Sequence, residues 1–268
     1  MGQNGKRVAL LMGSFNPIHR GHLAVAQYVV TQELADEVWL VVSPQNPLKN
    51  PALLAPFADR LAMVRLAVEE TGDPRLKACD VEAALPQPSY TIHTIEYLRE
   101  HCPDVQFSIL AGSDIADQLP RWHRSEELRR LVRFLIYPRN HGTASPEMAE
   151  APLFAVDSTS IRAALAAGLT VADNLVPSVV RDYIYSKKLY TMDDMTLGEW
   201  SDAIERAPNE AGNYFARGCL YYRQNEFGPA MNDFTRTLEL EPEHTVAAQM
   251  RELIREIFSF RNFDLYNP

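Results

Sequence analysis

The sequence predicts an α/β protein whose parallel sheet is followed by an all-α segment. Short apolar runs alternate with stretches of helical periodicity as far as residue 190, a pattern that is typical of βαβ units. Beyond residue 196 the strand-like runs stop. The charge changes at the same place: residues 191–268 hold seven Lys and Arg against 14 Asp and Glu. We therefore expect one domain at 1–192 and a helical domain at 196–262.

The first strand leads into a turn that delivers two histidines to a helix. Val8–Met12 is apolar without alternation, as expected for a central strand that is covered on both faces. Gly13 and the residues after it let the backbone pass close to a ligand. Helical periodicity begins at Arg20, so His19 and His22 fall at the first helical turn.

This turn is a candidate site for an anion. A helix start offers amide N–H donors and a partial positive charge, which suit phosphate. The two imidazoles of His19 and His22, with Gly21 between them, would add donors where a phosphoryl group carries its charge. The alternative is that both histidines are ordinary polar residues of a loop. That alternative is commoner for a single histidine, but the complete pattern favours a phosphate site.

Further strands and helices follow in alternation. The predicted strands are Glu37–Val42, Leu76–Val81, Val105–Leu110, Phe134–Tyr137 and a short one at Leu153–Val156. The predicted helices between them are 57–68 and 92–100, and the stretch 121–133 carries Trp122 and then a basic helix. Ligands of open α/β sheets bind beyond the carboxyl ends of the strands. Gly112 and Asp114 follow the fourth strand, and we expect them to lie near His19.

A second phosphate site is predicted where the hydroxyl residues Ser158 and Thr159 precede a strong helix former. Small hydroxyl residues favour a helix N-terminus, which again presents N–H groups to an anion. The sheet would thus supply two anion sites, one at His19 to His22 and one at Ser158 to Arg162.

The segment Gly13 to His22 resembles the signature of the nucleotidyltransferases that carry a His-x-Gly-His motif. Later motifs resemble, in order, those of bacterial nicotinate-nucleotide adenylyltransferases, and the resemblance covers residues 7–190. These later motifs are Pro88–Thr91, Gly112–Asp114, Trp122, Ser158–Arg162 and 175–190. The resemblance implies a Rossmann-like nucleotidyltransferase domain.

The implied reaction transfers adenylate from ATP to nicotinate mononucleotide, giving deamido-NAD and pyrophosphate in NAD biosynthesis. The phosphate of the mononucleotide attacks the α-phosphorus in line, so that no protein nucleophile is required. Two alternatives remain open. The acceptor could be another phosphate, such as nicotinamide mononucleotide or phosphopantetheine, or the chain could be a non-catalytic ATP-binding scaffold whose helices bind a protein.

The resemblance also implies residue roles. His19 and His22 would be catalytic, with His22 stabilising charge on the α-phosphate. The residues implied to bind ATP are Gly13, Ser14, Phe15, His19, Gly21, His22, Gly112, Asp114, Ser158, Thr159, Ile161 and Arg162. Those implied to bind nicotinate mononucleotide are Ser14, Phe15, Lys49, Thr91, Trp122 and Arg139. Mg²⁺ is expected to arrive with ATP, because no carboxylate cluster indicates a metal site built from the protein alone.

Three of the acceptor residues also have ordinary structural interpretations. Trp122 could stack on the pyridine ring or fill the core, and Thr91 could bind the nicotinate carboxylate or cap a helix. Lys49 could bind the mononucleotide phosphate or be a solvated loop charge.

Asp157 departs from the resembled pattern, which usually has serine at this position. A carboxylate that faced a triphosphate would repel it, so we expect Asp157 to cap the helix or to turn away.

The C-terminal segment resembles a tetratricopeptide repeat, because similar residues recur at an interval of 34. Helices are predicted at 196–207, 211–224, 227–240 and 244–260, and Arg217 and Thr237 depart from the repeat pattern. Fewer than two repeats are present, too few to bury their apolar faces alone. The helices would dock on the catalytic domain, on a second copy or on another protein; equally, they could be an appendage whose aromatic residues form its own core.

The overall charge of −9 argues against a nucleic-acid-binding protein. An odd number of widely spaced cysteines fits a reducing cytoplasm, and the sequence lacks a run long and apolar enough for a membrane span or a signal peptide. We therefore expect a cytoplasmic protein with neither nucleic acid nor membrane as a partner.

Overall fold

The computed structural model describes residues 5–45, 54–116, 118–139, 142–152, 156–166, 174–190 and 196–263. The chain forms two compact units: residues 1–154 with 176–183, and residues 155–175 with 184–268. Residues 155–175 thus group with the C-terminal helices. The domain bounds predicted from the sequence stay a prediction.

The first unit contains a five-stranded parallel sheet in the order β3-β2-β1-β4-β5. The strands are β1 (Lys6–Gly13), β2 (Glu37–Val42), β3 (Leu76–Cys79), β4 (Val105–Gly112) and β5 (Arg133–Tyr137). The predicted parallel α/β fold is therefore confirmed. Residues 153–155 of the predicted sixth strand lie outside the described residues.

Helices connect these strands and cover the sheet. They are α1 (Arg20–Thr31), α2 (Phe57–Thr71), α3 (Thr91–His101), the single turn α4 (Ser113–Ala116), α5 (Ser125–Leu131) and α7 (Ser178–Lys187), which continues into the second unit. Their apolar faces pack against strands whose central residues are fully buried, such as Val8 and Leu10 of β1. The order β1, α1, β2 places the turn after β1 at the carboxyl edge of the sheet.

Two predicted bounds were wrong for local reasons. The helix predicted after Trp122, within 121–133, spans Ser125–Leu131: Arg124 before it adopts a left-handed conformation with φ of 52°, and it ends before residue 133 because Val132 is extended. The third strand ends at Cys79 rather than Val81, because Asp80 leaves the extended conformation and a 3-10 helix follows at Val81–Ala84.

The second unit is helical in its described part. It contains α6 (Ser158–Ala166), α8 (Leu197–Arg206), α9 (Ala211–Arg223), α10 (Phe227–Leu240) and α11 (Thr245–Phe263). The last four agree closely with the predicted helices. Gly218 explains the close packing of α9 on α10: a Cβ there would lie 2.9 Å from Cε1 of Phe234. Membership of the tetratricopeptide family stays a prediction.

The two departures from the repeat pattern have contacts of their own. Arg217 of α9 forms a two-pronged ion pair with Asp233 of α10, with two N···O distances of 2.8 Å. The Thr237 hydroxyl donates to the backbone oxygen of Asp233 at 2.9 Å. Phe215, Phe227 and Phe234 are buried. This agrees with the interpretation that aromatic residues of this segment form its own core.

Within the described ranges, no helix has the length and apolar composition that a membrane span requires. Cys79, Cys102 and Cys219 are free thiols.

Candidate active site

The turn after β1 is compact and buried, and it ends on α1. Ser14 is 4% exposed and Phe15 is 3% exposed, and Phe15 adopts a left-handed conformation with φ of 46°. His19 is the N-cap residue of α1, and His22 lies in the first turn. The two histidines therefore stand at a helix start, as predicted.

The two imidazoles stack, with ring centroids 3.7 Å apart. The backbone N–H of His19 donates to Nδ1 of His22 at 3.2 Å. Because Nδ1 accepts this hydrogen bond, the neutral ring of His22 carries its proton on Nε2. The edge of the Phe15 ring packs against the same imidazole at 5.0 Å. His22 is thus a hydrogen-bond donor in a fixed orientation.

His19 is held in its neutral form. Burial, and to a smaller extent the nearby positive charge of Arg139, lower its pKa from an ordinary value of 6.5 to about 3. His19 would therefore bind a phosphate chain through a hydrogen bond rather than through a positive charge.

In the described part of the first unit, three buried polar atoms have no hydrogen-bond partner: Ser14 Oγ, His19 Nδ1 and Asp114 Oδ1. Among the described side chains only one further atom, Arg251 Nε, shares this property. Because an unpaired buried polar group costs about 1–3 kcal/mol, such groups are rare unless a ligand uses them. All three belong to the residues that the sequence predicted to bind ATP.

The end of β4 brings Gly112, Asp114 and Arg139 together. A Cβ at Gly112 would overlap Oδ1 of Asp114 and lie 3.3 Å from Cζ of Tyr137, so a larger residue would force the Asp114 carboxylate to move. The guanidinium of Arg139 lies 3.6 Å from the Asp114 carboxylate. The Ser113 hydroxyl fixes the Arg139 backbone, accepting from its N–H at 2.9 Å and donating to its oxygen at 2.6 Å.

Two of the predicted acceptor residues, Thr91 and Trp122, lie on α3 and on the segment before α5. Thr91 is the first residue of α3, whose N-cap is Tyr90 without a side-chain cap, so the interpretation of Thr91 as a cap was wrong. Trp122 is partly buried against the hydrophobic core of the first unit. The Tyr90 ring lies 4.7 Å from that of His123, next to Trp122. Lys49 lies outside the described residues.

The second predicted motif begins α6, in the second unit. Asp157 accepts from the Ser160 N–H at 2.8 Å, so the expectation that it caps this helix is confirmed. Ile161 is buried, and Arg162 donates to the Thr159 hydroxyl at 3.3 Å. The roles assigned to Ser158, Thr159 and Arg162 stay predictions.

The sequence analysis missed Arg60, which is 1% exposed and lies beneath the turn after β1. Its guanidinium donates to four backbone oxygens at 2.7–2.8 Å, those of Ser14, Ser43, Pro44 and Ala55. Arg60 thereby fixes the ends of β1 and β2. One signal was available: Arg60 shares a helix face with the core residues Met63, Val64 and Ala67, where a charge is unexpected.

A buried carboxylate, Glu82, was also missed. It accepts hydrogen bonds from the hydroxyl of Ser43, after β2, and from that of Thr94, in α3. Glu82 therefore ties α3, which carries Thr91, to the same strand end that Arg60 holds. In the sequence, Glu82 cannot be told from a solvent-exposed charged residue that follows a strand, so no pattern indicates that it is buried.

Comparison with known proteins identifies the family. The cytidylyltransferase-like family model matches residues 10–164. A probable nicotinate-nucleotide adenylyltransferase of Bacteroides fragilis is 41% identical over 66% of this chain and 91% of its own length. The corresponding protein of Bacteroides thetaiotaomicron is 42% identical over 68% of this chain and 94% of its own.

Solved structures agree on the fold. A nicotinic acid mononucleotide adenylyltransferase of Plasmodium falciparum, complexed with NaAD, superposes with a TM-score of 0.60 at 21% identity. It covers 69% of this chain and 97% of its own. Together with the identity to the Bacteroides proteins, the matched motifs lead to one conclusion: the chain belongs to the nicotinate-nucleotide adenylyltransferase family.

Proposed function

We propose that this protein transfers the adenylyl group of ATP to nicotinate mononucleotide, releasing pyrophosphate and forming deamido-NAD. Family membership supports the reaction class, since the similar proteins of Bacteroides carry that activity in their names. The observation that carries the proposal is the set of buried, unpartnered atoms of Ser14, His19 and Asp114. These are the groups that a nucleotide would satisfy.

In the reaction, an oxygen of the mononucleotide phosphate forms a bond to the α-phosphorus of ATP, and the bond from that phosphorus to the bridging oxygen breaks. The electron pair leaves with pyrophosphate. His22 donates its Nε2 proton in a hydrogen bond to an α-phosphate oxygen, where negative charge accumulates. His19, which is neutral, positions the phosphate chain.

Asp114 and Gly112 would bind the ribose of ATP. Oδ1 of Asp114 is a buried acceptor that suits a ribose hydroxyl, and the absence of a side chain at Gly112 leaves space for the Asp114 carboxylate itself. Ser158, Thr159 and Arg162 would hold the β and γ phosphates. Mg²⁺, bound to the triphosphate, would neutralise part of its charge, and the oxygen ligands that it prefers are those of the phosphates themselves.

Acceptor choice would rest on α3 and Trp122. The N–H groups of the first turn of α3 and the Thr91 hydroxyl suit a carboxylate, because a helix start favours negative charge. The Trp122 ring would stack on the pyridine ring, and Arg139 and Lys49 would bind the mononucleotide phosphate. A neutral amide in place of the carboxylate would gain less from these donors.

The decisive experiment measures pyrophosphate release from ATP and Mg²⁺ with three acceptors in parallel: nicotinate mononucleotide, nicotinamide mononucleotide and phosphopantetheine. We expect turnover with the first and at least tenfold lower kcat/KM with the second, a difference of about 1.4 kcal/mol. Absence of turnover with all three would overturn the enzymatic function. Preference for the amide would overturn the assignment of Thr91.

A further inference from the structure

A directed chain of hydrogen bonds joins the start of α11 to the start of α6 within the second unit. The Ala247 N–H donates to Nδ1 of His244 at 3.1 Å, so the neutral ring carries its proton on Nε2. Nε2 lies 2.9 Å from Oγ of Ser160, to which it donates. The Ser160 hydroxyl in turn donates to Oδ2 of Asp157 at 2.7 Å.

This chain is buried and fully paired. Ser160 is 4% exposed and His244 is 3% exposed. The Phe215 ring packs on the imidazole at 4.6 Å, and burial lowers the pKa of His244 while the Asp157 charge opposes that shift. Loss of the imidazole would leave the Ser160 hydroxyl without the donor that fixes its direction.

A metal site at the same place fits less well. Ligand atoms of Asp157, Glu241 and His244 lie within 4.8 Å of one another. However, Nδ1 of His244 accepts a backbone N–H, so Nε2 holds the proton and cannot ligate a cation in this arrangement. The observed hydrogen bonds therefore favour a structural role.

A second contact ties α6 to the C-terminal helices. At Gly212, near the start of α9, a Cβ would lie 3.5 Å from Cγ2 of Thr159. The backbone of α9 thus packs directly on Thr159. Two adjacent residues of the predicted triphosphate motif, Thr159 and Ser160, are held by helices that follow the region of family resemblance.

We propose that His244 is a positioning residue for ATP binding and that the C-terminal helices complete the triphosphate motif on α6. The inference rests on the proposed function, because that function assigns Ser158, Thr159 and Arg162 to the β and γ phosphates. It also chooses among the roles predicted for these helices: they belong to the catalytic machinery rather than to a separate partner-binding appendage.

The test uses two substitutions of one residue in the full chain. His244→Asn keeps an acceptor for the Ala247 N–H, as a good N-cap residue, but is too short to reach Ser160. We expect KM for ATP to rise about tenfold, as for a lost buried hydrogen bond, with KM for nicotinate mononucleotide unchanged. His244→Gln places an amide donor near the position of Nε2 and should restore most of the ATP affinity.

Thr237→Val is the matched control. Thr237 is fully buried in the same helical unit, and its hydroxyl donates only within α10, to Asp233. This variant should lose stability but keep KM for ATP. If both variants raise KM for ATP equally, or if His244→Asn does not raise it, the inference is wrong.

Hydrogen exchange without substrates separates this inference from the proposed function. In His244→Asn the amides of residues 157–162 should exchange faster than in the wild type, and in Thr237→Val they should not. Unchanged exchange in His244→Asn would overturn the inference even if the enzyme is active. A wild type that is inactive with every acceptor would instead overturn the proposed function.

Discussion

The helix starts of α1 and α6 are both predicted to bind phosphate, yet they are built in opposite ways. At α1 the N-cap residue is His19, whose Nδ1 is buried and has no hydrogen-bond partner within the described ranges of the chain. At α6 the N-cap residue is Asp157, and both of its carboxylate oxygens accept hydrogen bonds from Ser160. The start of α1 therefore leaves a polar ring nitrogen available to a ligand, whereas the carboxylate at the start of α6 is used in hydrogen bonds to its own helix.

This difference indicates that the start of α1 serves ligand binding, whereas the cap of α6 serves the stability and position of its helix. Unpaired donors and acceptors cost stability, so they are tolerated where a ligand makes use of them. A satisfied cap stabilises the helix and sets its position, leaving contact with phosphate to neighbouring residues such as Thr159. Substitutions at α1 should therefore change kcat, and substitutions at the α6 cap should change stability and, through Ser160, the KM for ATP rather than kcat.

The largest effect is expected from His22. His22→Asn keeps an acceptor for the His19 N–H but removes the Nε2 donor, so kcat should fall a hundredfold or more, about 2.7 kcal/mol. Steady-state pyrophosphate release measures this. His22→Gln, which extends an amide donor, should recover part of the loss, and a near-normal kcat in His22→Asn would make the residue structural.

The pH dependence of stability tests His19. Its folded-state pKa is about 3 and its ordinary value is 6.5, so as the pH falls the unfolded chain binds a proton at this residue before the folded chain does. The contribution of neutral, buried His19 to the unfolding free energy is therefore complete above pH 6.5, and it is lost as the pH falls toward 3. Between pH 7.5 and 5.5 the wild type should lose about 1.4 kcal/mol more unfolding free energy than His19→Gln. Urea titrations at both pH values measure the difference; equal losses would contradict the burial of a neutral imidazole.

The smallest effect is expected at the cap of α6. Asp157→Ala removes the acceptor for the Ser160 N–H and should cost about 1 kcal/mol of unfolding free energy, whereas Asp157→Ser should cost about half of that. Thermal and urea unfolding provide the measurement. If Asp157→Ala instead abolished turnover at full stability, the carboxylate would contact the substrates directly.

Sequence patterns predicted most of the fold because they report burial. The continuous apolar run of β1 and the helical periodicity after Arg20 are direct consequences of what each residue packs against. The ends of α5 and β3 were missed because single residues, Val132 and Asp80, leave the regular conformation there, and no periodicity reveals such a change.

For the candidate site, local motifs placed His19, His22 and Asp157 on helix starts. Long-range polar partners were beyond the reach of these motifs. Arg60 and Glu82 act on residues 5 to 46 positions away, and a single sequence does not show which carbonyl or hydroxyl a charged side chain will meet. His244 was missed for the same reason, since Ser160 is 84 positions distant.

The hydrogen bonds of Arg60 have a consequence for redesigning the acceptor specificity. Because the guanidinium binds the main-chain oxygens of Ser14, Ser43, Pro44 and Ala55, it recognises the path of the backbone and not the identity of those side chains. A loop graft after β2 can therefore vary its side chains beyond Ser43, whose hydroxyl binds Glu82, while it preserves the carbonyl directions at residues 43 and 44. An insertion that rotates either carbonyl would displace the Arg60 guanidinium. It would thereby alter the shape of the turn at Ser14, which follows the neighbouring strand β1.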